Sequence, residues 1–237
     1  MTIDESALKT LVRVFLEENK KLNLSAFRSE EHCWVGNVLD SISLLQAFEH
    51  IRGLSMPKRL IDIGTGGGFP LVPLGICLKE TTCIGIDSTQ KKVDAVSRII
   101  MTMHLKNVRV QAGRVEELAH QEEYRETADL VTARALAPIP VLLEYAVPLL
   151  KVGGFCAFWK SSKVADELQS SATAQKLLGV SFAGTFEYEL PGNFLAVPSS
   201  VVRSGGWGKR LILFFRKNKA TLKDYPRQVG MPKAKPL

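Results

Sequence analysis

Leu60-Ile61-Asp62-Ile63-Gly64-Thr65-Gly66-Gly67-Gly68-Phe69 is the stretch on which the fold turns. A short apolar run ends in a glycine-rich turn, and a second apolar stretch follows at once. That second stretch, residues 69–78, is compatible with a helix only if Pro70 and Pro73 both sit in its first turn, where a missing N–H leaves nothing unsatisfied. The pattern is strand, turn, helix. Outward from it the same alternation repeats. Strands are predicted over 82–86, 107–111, 128–132 and 155–159, and helices over 90–104, 138–150 and 164–178, with a short one starting at 116. Strands alternating with helices give a mostly parallel sheet covered on both faces. Two closing strands, 180–190 and 209–215, are separated by a loop and no helix, which predicts an antiparallel edge. Upstream, 6–19 carries a helical stripe (Leu8, Leu11, Val12, Phe15, Leu16), and 30–48 reads as a second helix.

The spacing of the turn separates its candidate ligands. A dinucleotide site wants G-x-G-x-x-G, but the third glycine would fall on Phe69 or Leu71, according to register. A P-loop needs Gly-Lys-Ser/Thr, which is absent. What remains is G-x-G-x-G, the form common in class I methyltransferases, whose ligand has a methionine end and no phosphates. Gly64, Gly66 and Gly68 would let the backbone approach it. Asp87 ends the next strand, 23 residues after Gly64, where a carboxylate can accept both hydroxyls of a ribose. Its other reading is a cap for the helix that follows. Gly113-Arg114-Val115-Glu116 follows the third strand. Val115 is placed to pack on an adenine face; Glu116 taken alone reads as a helix-start acid.

Charge is unevenly distributed. The chain of 237 residues has a net charge of +7, but residues 203–237 hold ten Lys and Arg against the single acid Asp224, and the remainder is slightly acidic. A basic segment beside a near-neutral domain suits an acidic partner such as nucleic acid, or serves only as a solubilising tail. The last segment, 217–237, with Pro226, Pro232 and Pro236, is expected to be extended or mobile. No apolar run reaches the ~18 residues of a membrane helix, and the N-terminus lacks a signal-peptide pattern, so a cytoplasmic location and no membrane partner are expected. Cys33, Cys77, Cys83 and Cys156 have no CxxC spacing and the four histidines are scattered, so buried thiols and no metal are expected. No long apolar surface stripe demands a partner, and a monomer is expected.

Taken in order and spacing, further segments resemble the bacterial 16S rRNA guanine-N7 methyltransferases, also called glucose-inhibited division protein B. These are Asn23-Leu24-Ser25, Leu39-Asp40-Ser41, residues 62–70, Asp87-Ser88 with Lys91-Lys92, Arg114-Val115-Glu116-Glu117, Thr132-Ala133-Arg134-Ala135, and in the tail Tyr225-Pro226-Arg227 and Lys235-Pro236-Leu237. The resemblance covers nearly the whole chain. It implies a class I, Rossmann-like, seven-stranded fold over 58–216 with an N-terminal helical extension over 1–57 and the basic tail over 217–237. It implies S-adenosylmethionine held by Gly64, Phe69, Asp87, Val115, Glu116 and Arg134, and a guanine of 16S rRNA in the small ribosomal subunit as substrate. The chain departs from the family at Gly36-Asn37, where a basic residue and His are usual, and at Trp159-Lys160-Ser161, which replaces a Leu-Lys-Gly-like ending.

Guanine N7 carries a lone pair and no proton, so its methylation needs positioning rather than a strong base, and no acid/base pair stands out in the sequence. Arg134, at the end of the fourth strand, suits guanine O6, a phosphate or the methionine carboxylate of the cofactor. Lys160, at the end of the fifth, suits an RNA phosphate; these two are the candidates at the reacting centre. Asn23, Arg28, Arg203 and Arg210, with Lys209, are the candidate substrate contacts, although Asn23 reads equally as a helix cap. Phe27, Trp34, Trp159 and Trp207 offer stacking faces for a base displaced from its helix, Trp207 being the one expected to be exposed. The competing readings are a methyltransferase for another substrate and a non-catalytic RNA-binding or ribosome-assembly protein on the same fold.

Overall fold

The computed structural model describes residues 3–161, 164–191 and 209–237. Seven strands form one sheet: β1 (Arg59–Ile63), β2 (Thr82–Asp87), β3 (Val108–Ala112), β4 (Ala128–Arg134), β5 (Leu150–Ser161), β6 (Val180–Glu189) and β7 (Lys209–Lys217). Their order is β3-β2-β1-β4-β5-β7-β6, parallel except for β7, which runs antiparallel to both β5 and β6. The expected antiparallel edge is therefore present. The order reverses between β1 and β4, and such a reversal opens a crevice at the carboxyl ends of the strands.

The helices of the N-terminal part are α1 (Glu5–Leu22), α2 (Glu30–Cys33), α3 (Asp40–Ile42) and α4 (Leu44–Ala47). Those interleaved with the sheet are α5 (Leu71–Cys77), α6 (Gln90–Thr102), α7 (Val115–Leu118), α8 (Ile139–Ala146), α9 (Ala165–Ser170) and α10 (Ala172–Leu178); α11 (Met231–Ala234) lies in the tail. Asp4 caps α1 by accepting from the Ala7 N–H at 3.0 Å, and the helix buries its apolar stripe on the sheet face shared with α5 and α6. Glu18 on α1 reaches Arg98 on α6 at 2.7 Å. The other face is covered by α8 and α10 over a second apolar core. Pro70 precedes α5 and Pro73 sits in its first turn, as their chemistry requires. All four cysteines are unbridged and buried.

Two expectations change. The helix predicted over 30–48 is not continuous: a π-helical turn, Trp34–Leu39, interrupts it between α2 and α3. Such a widened turn redirects backbone and side chains, and is frequent at functional sites. The tail does not run free of the domain but is docked on it. The Arg125 guanidinium donates to the carbonyls of Thr221, Leu222 and Tyr225 at 2.9–3.0 Å. Lys217 is fully buried and bonded to Glu126 at 2.7 Å, and Arg227 grips the buried Glu144 with two nitrogens at 2.8 and 2.6 Å. Part of the C-terminal positive charge is thus spent inside the protein.

Candidate functional site at the carboxyl ends of the strands

The glycine turn is fixed from below. The N–H groups of Gly64 and Thr65 both donate to the Ile86 carbonyl on β2, at 2.8 and 3.0 Å. Gly64, Gly66 and Gly68 all adopt positive φ (67°, 56° and 89°), a region that a side chain strains. They are not equivalent. A Cβ on Gly64 would strike Leu136 and one on Gly68 would press on Val72 and Val96, whereas one on Gly66 would meet only the Gly64 carbonyl at 3.8 Å. Gly66 is therefore the glycine that leaves open space above the turn, and the other two serve close packing.

Asp87 ties the glycine turn to the start of α6, as its capping reading requires. One carboxylate oxygen accepts the Gly66 N–H and the other the Thr89 N–H at the start of α6, each at 2.9 Å. Each oxygen retains acceptor capacity toward the cleft. These groups line a cavity of about 390 Å³ that also includes Phe69, Val115, Glu116, Arg134 and Lys233. All eight residues expected to hold the cofactor surround it except Gly68, which lies beneath. Phe69 is wedged between Phe15 of α1, edge-on at 4.8 Å, and the Arg134 guanidinium, 5.8 Å from the ring centre.

A second cavity, of about 440 Å³, meets the first at Ser25, Asn37, Arg134 and Ala135. Its walls include Phe27, Asp40, Trp159, Lys160, Tyr188 and Arg210. Arg134 stands at the junction and is held by the N-terminal extension. It donates to the Gly36 carbonyl at 3.1 Å, Asn37 Oδ1 at 3.0 Å and Asp40 Oδ2 at 2.9 Å. Asp40 is itself a hub: its Oδ1 accepts from the Tyr188 hydroxyl at 2.6 Å, and its carbonyl from Trp159 Nε1 at 2.8 Å. Burial, with the Asp40 charge adding to it, pushes the Tyr188 phenol well above its usual range. Gly36 and Asn37, the positions that depart from the resembled pattern, are thus the ones that grip Arg134.

The remaining sequence candidates are distributed as follows. Lys160 lines the second cavity, bonded to the Ala137 carbonyl at 2.8 Å and paired with Glu167 at 2.6 Å. Arg210 lines it too, with Nε 3.7 Å from Asp40. Asn23 ends α1 in a left-handed conformation and accepts from Arg28 at 2.6 Å; neither residue borders the cavities. Trp34 packs against the core, and Trp159 is buried with its N–H committed. Arg203 and Trp207 lie outside the described residues.

The sequence reading missed Asp62 and Thr65. Asp62 is buried under the glycine turn and accepts from the Thr132 hydroxyl at 2.7 Å. Its Oδ2 and the Thr65 hydroxyl are buried without a hydrogen-bond partner among the described residues. Burial pushes the Asp62 carboxyl up to about 7, against the lowering effects of the Thr132 hydrogen bond and the Arg134 charge. An acid within the apolar run 60–63 was the signal available for it.

The family model for rRNA small subunit methyltransferase G matches residues 4–185. The chain is 33% identical to the ribosomal RNA small subunit methyltransferase G of Leuconostoc citreum over all of this chain and 94% of the relative. It is 36% identical to that of Desulfitobacterium hafniense over 94% of this chain and 84% of the relative. The fold is shared with a SAM dependent methyltransferase from Aquifex aeolicus at a TM-score of 0.53, with 16% identity over 85% of this chain and 98% of that one. The chain belongs to the rRNA small subunit methyltransferase G family, and is a class I methyltransferase that uses S-adenosylmethionine.

Proposed function

We propose that this chain methylates N7 of a guanine in 16S rRNA, with the cofactor in the first cavity and the target base in the second. The observation that carries this reading is the junction of the two cavities at Arg134, a fixed cation between the cleft over the glycine turn and Asp87 and an aromatic, basic one.

The residues of the first cavity fit the cofactor. Asp87 offers acceptors to the ribose, Val115 an apolar surface to the adenine, and Gly66 an approach free of a side chain. Asp62 Oδ2 and the Thr65 hydroxyl, buried and unpartnered under the turn, are acceptors suited to the cofactor's ammonium group. Held there by Asp87, Val115 and Gly66, S-adenosylmethionine would supply an electrophilic methyl on sulfur for transfer to N7, with the thioether as leaving group.

The chain's own contribution is positional. Three of the roughly five guanidinium N–H groups of Arg134 are committed to the extension, leaving about two for guanine O6 or the cofactor carboxylate. Because the guanidinium is already immobilised, little freedom is lost when it engages the base, and such preorganised positioning can lower the barrier by ~7–11 kcal/mol. N7 gives up no proton, so this acceptor needs no general base, and Asp40 is free to serve as the anchor of Arg134 and Tyr188. Lys160 and Arg210 suit the phosphates flanking a base splayed from its stack. In paired RNA the deep, narrow major groove hides N7, so the target belongs in a loop.

The test is transfer of labelled methyl from S-adenosylmethionine to small-subunit rRNA, free and assembled, prepared from a strain lacking this protein. Label at one guanine, abolished by Arg134→Ala, supports the reading. Tight cofactor binding without transfer to either substrate refutes it.

A further inference from the structure

The tail reaches the cofactor cavity. After its anchors at Arg125 and at Glu144, which holds Arg227, the chain turns at Gly230, whose φ is +84°. The Gly230 N–H then donates to Glu116 Oε1 at 3.1 Å. One short turn later Lys233 joins the cavity wall that contains Val115, Glu116 and Tyr145. Pro232 beside it is buried, while Leu237 packs on the second core. His120, just past α7, holds the Pro226 carbonyl through Nε2 at 2.9 Å. The segment is therefore clamped on both sides of its closest approach to the cleft.

We propose that residues 228–234 are a built part of the cofactor site, in which Gly230 holds Glu116 in place and Lys233 contacts the bound nucleoside. The proposal rests on the reading of the first cavity as the S-adenosylmethionine site. Three observations support it. Glu116 is buried, and its carboxylate needs donors; the tail N–H is one. Glu116 also separates the first cavity from a further one of about 370 Å³ between α7 and the tail, so the docked tail backs the wall where Val115 meets the ligand. Lastly, Lys217 and Arg227 spend their charge on Glu126 and Glu144, whereas Lys233 makes no hydrogen bond or ion pair among the described residues. An ammonium donates only, so Lys233 suits the ring nitrogens or ribose oxygens of a nucleoside, not the adenine amino group.

The experiment compares S-adenosylmethionine binding by calorimetry in the full chain, in Lys233→Ala, in Lys235→Ala and in a chain ending at Arg227, alongside amide exchange of the tail. Binding and tail docking must be reciprocally coupled if they share a wall. Expected are an affinity loss of about 10-fold on truncation and about 3-fold in Lys233→Ala, none in Lys235→Ala, and slower exchange of the Gly230 amide when the cofactor is added. Undiminished affinity in Lys233→Ala together with cofactor-independent exchange would overturn the proposal, even if the truncated chain failed to fold. Absence of binding by the full chain would overturn the cofactor reading itself, a different outcome from normal binding by every variant.

Discussion

The Arg134 guanidinium donates to Asp40 Oδ2 at 2.9 Å, joining the end of β4 to a helix 94 residues earlier in the chain. Asp40 is almost fully buried and Arg134 is only 18% exposed at its side chain, so solvent screens the pair little. The N-terminal extension is thereby part of the site's machinery: it orients the cation that stands between the two cavities.

Asp40→Asn should therefore act through Arg134. Loss of a hydrogen bond to a charged group costs about 1.5–3 kcal/mol of stability. A misplacement of ~1 Å can lower turnover roughly 100-fold. The expected outcome is a large fall in kcat with cofactor affinity altered much less, measured by single-turnover methyl transfer and calorimetry. An equal loss in kcat and cofactor affinity would place Arg134 mainly on the cofactor.

Asp87→Ala removes the acceptor for the Gly66 and Thr89 N–H groups as well as the proposed ribose contact. Two charged hydrogen bonds to the ribose hydroxyls together contribute about 3 kcal/mol or more, which corresponds to at least about 100-fold in affinity. Calorimetric titration with S-adenosylmethionine should show that loss while the far-ultraviolet circular dichroism stays unchanged. Retained affinity would move the nucleoside elsewhere in the cleft.

Asp62 predicts a pH dependence of stability. Its folded-state value of about 7 lies above the ordinary 3.8, because burial disfavours the charged form. Folding therefore favours the protonated acid. That contribution is complete below about pH 4 and is lost as the pH rises toward 7. Asp62→Asn keeps an oxygen to accept from Thr132 and has no proton to lose. Thermal unfolding in the absence of cofactor should show the variant gaining on the wild type between about pH 4 and about pH 7, by several degrees, with no further gain above. Parallel curves would show that Asp62 keeps its charge in the fold.

Much of this was legible in the sequence because the information is local. The strand–turn–helix at 60–69 and the acid ending the next strand lie within one βαβ unit, so spacing alone located Gly66 and Asp87. The two final strands without an intervening helix announced their antiparallel pairing. What escaped depends on distant partners. The tail reads as mobile from its prolines and lysines, but its order comes from Arg125 and His120 donating to its carbonyls, some hundred residues apart. The stripe at 35–45 reads as a regular helix, and nothing periodic marks the π turn that turns Gly36 and Asn37 toward Arg134. Asn23 could be a cap or a contact on sequence grounds, and the structure places it as a cap that also receives Arg28.

The most direct test is chemical mapping of N7-methylguanine in the small-subunit rRNA of cells. Borohydride reduction followed by aniline cleaves RNA at that base, and primer extension reads the break. One guanine should be cleaved in wild-type rRNA, intact when this chain is deleted, and cleaved again when the wild-type chain, but not Arg134→Ala, is restored. Cleavage that persists after deletion, or that Arg134→Ala restores in full, would contradict the proposed function.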